Sequence, residues 1–381
     1  MIKTFEIDDL IRIAKRENNT KRSYLYVNPV QGKHIPVSPS RSLELFSLLA
    51  QKIEERYPDE GILIIGFAET ATAIGSAIAY KARNCKYYMN TTRENITDAE
   101  YLFFTESHSH ATEQRLVING LENCLDGVQR IVFAEDEVTT GNTIEKLIRI
   151  LQGKYAKREL KFGIVSILNS MPDHRINELE SEGIICDYVH RIPVQYRVDE
   201  INNHTYLPLR EQSSMHTEVI AKEYLVGNYW NSRIISSITE IRMRTDEFVQ
   251  SVINDIELNN EEENILVLGT EEFMFPGLMI GAAIEDKWLR KSVLFHATTR
   301  SPIEVCEDEK YPLHNRMPLE SVYGKDRRTF IYNLQKYDKV FIVSDAIDLN
   351  LDGLVSICAA LEEFGNTDVT LIRWGDYSNE E

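Results

Sequence analysis

The sequence predicts an α/β protein with parallel sheets, arranged as two successive α/β domains. Three observations carry this: short apolar runs alternate with segments of helical periodicity, the series occurs twice, and 381 residues exceed what one core usually serves. In the first series Ile62 to Ile65, Lys86 to Met89, Ile131 to Ala134 and Phe162 to Leu168 read as strands. The stretch from about Tyr196 to Asn264 is charged, mixed and weakly patterned, and Glu261-Glu262-Glu263-Asn264 reads as a solvated loop. Ile265 to Leu268 then opens the second series. A hydrophobic content of 43% provides for a core in each domain.

The second series repeats the first. Ile62-Leu63-Ile64-Ile65-Gly66-x-x-Glu69 matches Ile265-Leu266-Val267-Leu268-Gly269-x-x-Glu272, and Ile74-Gly75-x-Ala77-Ile78 matches Ile280-Gly281-x-Ala283-Ile284 after a short insertion. Thr91-Thr92-Arg93 answers to Thr298-Thr299-Arg300, and the strand ending in Asp136 to Val340-Phe341-Ile342-Val343-Ser344-Asp345. Helical patterns follow both of these last strands, at Ile144, Leu147, Ile148 and Leu151 and at Leu354, Ile357, Cys358 and Leu361. Four matches in one order point to a duplication. The expected domains are residues 1–205, with an N-terminal hood segment, and 206–381.

Composition narrows the function. Forty-two basic against sixty acidic residues give a net charge of -18, which argues against broad binding to nucleic acid or anionic membrane. A polyanionic ligand then needs a locally positive or metal-filled pocket. The five cysteines form no CxxC pair and no zinc-spaced cluster, so they are expected to be buried thiols. Met1 to Glu6 lacks the pattern of a secretory signal, and no apolar run approaches the roughly 18 residues of a membrane span. The expectation is a soluble, reduced, cytoplasmic protein.

The strongest local signal is Ile131-Val132-Phe133-Ala134-Glu135-Asp136-Glu137-Val138-Thr139-Thr140-Gly141-Asn142-Thr143. It reads as an apolar strand, an acid pair, a hydroxyl- and glycine-rich turn and an amphipathic helix. A strand-to-helix turn presents unpaired amides and the positive end of the helix dipole, which together hold a phosphate. Gly141 permits close backbone approach, and Thr139, Thr140 and Thr143 add hydroxyl donors. Glu135 and Asp136 can accept hydrogen bonds from vicinal sugar hydroxyls one ribose length away. The alternative, a plain helix cap, needs only one acid, and two at a strand end are costly without a ligand, cation or donor. No lysine follows the glycine as in a Walker loop, and no GxGxxG is present.

This segment resembles the PRPP motif of the type I phosphoribosyltransferases, enzymes that use 5-phosphoribosyl-1-pyrophosphate (PRPP). The resemblance implies a Rossmann-like parallel sheet followed here by a second, degenerate phosphoribosyltransferase-like α/β domain. It implies that Glu135 and Asp136 are the catalytic pair, contacting the ribose hydroxyls and Mg2+ indirectly, through water or PRPP. Thr139, Thr140, Gly141, Asn142 and Thr143 would cradle the 5′-phosphate. Thr139 stands where purine-using relatives carry an acid, which disfavours a hypoxanthine or guanine acceptor. The pyrophosphate loop would be Gly66 to Thr72, with Ala68, Glu69, Thr70 and Ala71 joined by Arg93. Glu69 departs from the neutral or basic residue common there and is either a metal-side ligand or a residue turned out of the loop.

More narrowly, nearly the whole chain is similar to phosphoribosyltransferases of bacterial tellurite-resistance and stress gene clusters that carry a C-terminal TRSP domain. The marks are Asn28-Pro29-Val30-Gln31-Gly32-Lys33-His34-Ile35-Pro36-Val37, Gly66 to Thr72, Glu106-Ser107-His108-Ser109-His110-Ala111-Thr112, the PRPP motif and Thr299-Arg300-Ser301-Pro302. Glu106, His108, His110 and Arg115 fall where a flap over the site is expected, with solvated loop histidines as the alternative. Lys33 and His34 are candidates for the acceptor hood, or for an exposed turn. In the second repeat Ser344-Asp345 replaces the acid pair and no phosphate turn follows, so standard PRPP binding is not expected there. Thr299, Arg300, Ser301, Arg327, Arg328 and Tyr332, with Asp345, are the cleft candidates; the alternative is a structural pseudo-dimer with Arg300 in a salt bridge.

The expected function is transfer of the phosphoribosyl group of PRPP to an unidentified nucleophile, a non-purine one being among those left open, releasing pyrophosphate, in a nucleoside-like biosynthetic or stress-response pathway. That is a pentosyltransferase reaction with Mg2+ as cofactor. The alternative is a non-catalytic nucleotide or PRPP sensor acting through its TRSP domain. The expected partners are small molecules; other stress-operon proteins and a homodimer are left open, with no membrane and no direct nucleic-acid partner.

Overall fold

The computed structural model describes residues 5–19, 22–104, 113–209 and 220–376. The chain divides into two compact units: Leu45–Tyr196 with Trp230–Arg244, and Met1–Glu44 with Arg197–Tyr229 and Thr245–Glu381. We call these the first and second units.

In the first unit the strands run in the order Ser236–Ser237, Cys85–Asn90, Ile62–Gly66, Arg130–Val138, Lys161–Asn169, Ile185–Arg191. All are parallel except the short edge pair at Ser236 and Ser237. Parallel strands joined by helices are covered on both faces, so they read as apolar runs; Ile62 to Gly66 is buried at every position. The helix Asn142–Lys154 buries Ile144, Leu147, Ile148 and Leu151, the stripe its sequence predicts.

The second unit carries Ile220–Val226, Val369–Trp374, Lys339–Ser344, Asn264–Gly269 and Ser292–Ala297 in that order, all parallel. Its last four strands repeat the order and register of the first unit. Gly66 lies opposite Asn90 and Ala134, and Gly269 opposite Ala297 and Val343. The loops beyond them share hydrogen bonds too. The Thr91 amide donates to Gly66 O (2.9 Å) and the Thr298 amide to Gly269 O (3.0 Å). Thr91 Oγ1 accepts from the Ala68 amide (2.8 Å), as Thr298 Oγ1 does from the Glu271 amide (3.0 Å). An antiparallel pair stands at the corresponding place in each unit: Tyr101–Phe103 with Arg115–Val117 between Cys85–Asn90 and Arg130–Val138, and Arg316–Glu320 with Arg328–Tyr332 between Ser292–Ala297 and Lys339–Ser344. The outer strand differs: the first unit draws it from the following segment and the second from a preceding one.

Two expectations need correction. The glycine that packs closely on Gly269 is Gly277, whose Cβ would lie 3.5 Å from the Gly269 Cα, as that of Gly75 would lie 2.9 Å from the Gly66 Cα. Both helices begin six residues past the strand-end glycine, so no insertion is present. The weakly patterned stretch contains an 18-residue helix, Ile238–Asp255. Its buried residues Ile238, Ile241, Thr245, Phe248 and Val252 recur every three or four positions.

The break expected at 205/206 is not where the molecule divides. Arg12–Lys15 and Tyr24–Val27 form a hairpin whose Ala14 and Val27 join Ile303, Val305, Tyr311, Leu313, Phe330 and Tyr332 in one apolar cluster of the second unit. Val37 pairs with Phe295 and Arg16 with Ile303. Gly32 takes left-handed backbone (φ 74°) against the Phe295 ring, where a Cβ would come within 2.4 Å. The N-terminal segment is thus part of the second unit's core. Cys85, Cys186, Cys306 and Cys358 are buried thiols and Cys124 is half-buried. Among the described residues no helix is long and apolar enough to cross a membrane.

Candidate active site

The strand Arg130–Val138 runs through the acid pair, so Glu135 and Asp136 lie in its last paired stretch beside Lys161–Asn169, with Glu135 opposite Ser166. Both acids and Glu137 are half-buried. The Asp136 amide donates to Glu135 Oε2 (3.3 Å). Burial, and then the adjacent Asp136 carboxylate, push the Glu135 pKa well above the ordinary value. Like charges in so small a space call for a cation or for donors from a ligand.

The turn follows at once. Gly141 is left-handed (φ 71°) and caps the helix Asn142–Lys154, while Thr140, Asn142 and Thr143 are exposed and Thr139 is half-buried. A Cβ at Gly141 would lie 3.1 Å from Met171 Sδ. The Asn142 amide donates to Thr140 Oγ1 (3.4 Å). Sequence reasoning missed Arg175, whose Nε donates to Thr140 O (3.2 Å) and whose guanidinium pairs with Glu145 in the first helical turn. That contact holds the Glu145 carboxyl below the usual range and offsets its charge next to the Gly141 turn. An arginine on the following helix carries no local signal.

The expected pyrophosphate loop leaves the neighbouring strand end. The Ala68–Glu69 peptide is cis. The Ala68 amide donates to Thr91 Oγ1 and its carbonyl accepts from Gln114 Nε2 (2.7 Å), so it fixes the loop in place. Glu69 is buried, with its carbonyl accepting from Thr72 Oγ1 (3.1 Å), which removes the reading in which it turns out to solvent. Thr70 is half-buried and Ala71 buried, its amide donating to Phe67 O (2.9 Å). Arg93 is half-buried just past Thr91 and Thr92; Arg115 Nη2 donates to the Arg93 carbonyl (3.3 Å) and to Asn95 Oδ1 (2.6 Å). The structure therefore brings the acid pair, the turn, the loop and Arg93 to the carboxyl ends of adjacent parallel strands, the usual place for a ligand in an open α/β sheet. Arg115 anchors the foot of the expected flap, whose Glu106, His108 and His110 lie outside the described residues.

Lys33 and His34 are buried in the second unit, not exposed in a turn. The His34 ring meets Tyr332 edge-on at 6.0 Å, and the Gly32 carbonyl lies 3.1 Å from His296 Nδ1. Three of the second-unit candidates, Arg300, Arg327 and Asp345, fall in two groups. Arg300 Nε donates to buried Glu271 (2.6 Å), which Arg327 also approaches (3.6 Å). Asp345 accepts from two tyrosine hydroxyls, Tyr229 (2.5 Å) and Tyr323 (2.6 Å). Thr299 pairs with Phe330 through its backbone, its Oγ1 accepts from the Ser301 amide (3.2 Å), and Arg328 lies exposed over the Phe330 ring. Tyr332, expected as an anion donor, gives its hydroxyl to Ser301 O (2.7 Å) and is buried.

A parallel sheet whose middle strand carries an acid pair near its carboxyl end and leads into a helix capped by a glycine turn is the framework of a phosphoribosyltransferase domain. Residues 10–192 match the family model described as phosphoribosyl transferase, and residues 238–357 match that of the TRSP domain C-terminal to it. The chain belongs to the phosphoribosyltransferases that carry a C-terminal TRSP domain. No curated protein matches it. Solved structures similar to it include adenine phosphoribosyltransferase from Thermoanaerobacter pseudethanolicus, at 14% identity over 49% of this chain and 98% of that one, with a TM-score of 0.33. Orotate phosphoribosyltransferase from Aeropyrum pernix gives 16% identity over 45% and 80%, with a TM-score of 0.30. Adenine phosphoribosyltransferase from Trypanosoma brucei, in complex with AMP, pyrophosphate and ribose-5-phosphate, gives 14% over 46% and 74%, at 0.29.

Proposed function

We propose that the first unit binds magnesium-PRPP and transfers its phosphoribosyl group to a non-purine nucleophile, releasing pyrophosphate. The observation that carries this is the half-buried acid pair followed at once by the Gly141 turn. Exposed Thr140, Asn142 and Thr143 at a helix start take the 5′-phosphate, and Glu135 and Asp136 accept from the ribose hydroxyls. Glu69, Thr70 and Arg93 face the departing pyrophosphate. Catalysis is positioning and charge neutralisation around an oxocarbenium-like centre.

The donor set suits Mg2+. Three consecutive half-buried acids, one with a raised pKa, favour a hard cation, while among the described residues no group of three or more His, Cys, Asp or Glu side chains converges on a common point. Glu135 and Asp136 then hold the metal through water and PRPP oxygens. When bound, it neutralises the pyrophosphate charge. The setting we infer is cytoplasmic, in a nucleoside-like biosynthetic or stress-response pathway. The test is pyrophosphate release from PRPP across a panel of pyrimidine, azole and amine acceptors. Acceptor-dependent release that Asp136→Asn abolishes is expected; a folded enzyme that releases none with any acceptor counts against transfer and favours a PRPP sensor.

A further inference from the structure

We propose that the second unit carries its own ligand: the carboxylate of Glu271 occupies an anion subsite, and the hydroxyls of Tyr229 and Tyr323 occupy a diol subsite. The inference rests on the reading of the first unit only in taking its loop as an anion site and its strand-end acids as a diol site.

The register fixes the correspondence. Gly66 faces Ala134 as Gly269 faces Val343, so Ser344 and Asp345 stand where Glu135 and Asp136 do. Both loop amides, Ala68 and Glu271, donate to the threonine that opens the next loop, so Glu271 stands where Ala68 does and Arg300 where Arg93 does. At the position of a small apolar residue the second unit thus places a carboxylate.

That carboxylate is handled as a bound anion would be. It is 1% exposed, accepts from Arg300 Nε at 2.6 Å and from the Ser321 hydroxyl, and lies 3.6 Å from Arg327. Two guanidinium groups and a hydroxyl around one acid exceed what pairing a single side-chain charge needs. The backbone of Glu271 is left-handed (φ 48°), a conformation that costs a side-chain-bearing residue energy and directs this one to the arginines. At the second subsite both Asp345 oxygens accept hydroxyl hydrogen bonds at 2.5 and 2.6 Å, as a carboxylate would from vicinal sugar hydroxyls. Tyr323 is held in turn by Thr270 Oγ1 (2.7 Å).

Removing the internal anion should leave Arg300 and Arg327 as a site for a phosphate-type oxyanion. The experiment is calorimetric titration of metal-free inorganic pyrophosphate into the full-length protein, counting sites per chain in wild type, Glu271→Ala, Glu271→Gln and Glu271→Ala with Arg300→Met. The Glu271 single variants are expected to gain one site over wild type, and the double variant to lose it. If Glu271→Ala folds only in phosphate buffer, that rescue supports the proposal equally. Folded Glu271→Ala and Glu271→Gln proteins with the wild-type number of sites overturn it. Failure of PRPP binding in the first unit leaves this site count unaffected, so the two readings are separable.

Discussion

Burial, and then the neighbouring Asp136 carboxylate, disfavour the charged form of Glu135 and raise its pKa. A folded-state pKa above the unfolded value gives a contribution that is complete below the unfolded pKa and is lost as pH rises through the folded one. The unliganded protein should therefore lose stability as pH climbs through that range. Glu135→Gln should abolish the dependence and make the unliganded protein more stable than wild type above the raised pKa, because the amide carries no charge to bury. Denaturant titrations across pH test this; a variant no more stable than wild type above that pKa contradicts it. Sugar hydroxyls and a cation favour the ionised form, so PRPP binding should release a proton. Calorimetry in two buffers of different ionisation enthalpy reads that proton directly. The acid pair and turn were legible in the sequence because every group lies within one strand, turn and helix. Arg175 was not, because its bond to Thr140 O spans 35 residues.

At the scale of elements, apolar runs marked the parallel strands because both faces of such strands are covered. The helix Ile238–Asp255 had a readable spacing hidden among charges. The N-terminal segment was misplaced for a different reason: its partners Ile303 and Phe295 lie far along the chain, and edge pairing leaves no local pattern. Its attachment can be tested at Gly32, where left-handed backbone meets the Phe295 ring. Gly32→Ala should cost about 2–4 kcal/mol, adding backbone strain to overpacking. Thermal melts followed by fluorescence should show a lowered transition. An unchanged melt would mean that the segment is not seated on Phe295.

For the whole molecule, the repeat is present in strand order, register and loop hydrogen bonds as three of its four sequence matches have it, the helix match being shifted to Gly277, yet the boundary between the halves was not legible. Ala14, Val27 and Tyr206 belong to or pack on the second unit's cluster, so no single cut yields that unit whole. A fragment of residues 206–381 should fail to fold, showing no cooperative melt by circular dichroism. A cooperative melt from that fragment would contradict the division described here.

The central claim is that the strand end at Glu135 and Asp136, with its turn, is a PRPP site. Isothermal titration of magnesium-PRPP into the full-length protein tests it most directly. Wild type should bind, and Asp136→Asn and Thr140→Val should each bind about 10- to 100-fold more weakly, the cost of one hydrogen bond to a charged group. Equal affinity in all three folded proteins, or no binding by wild type, would contradict the account.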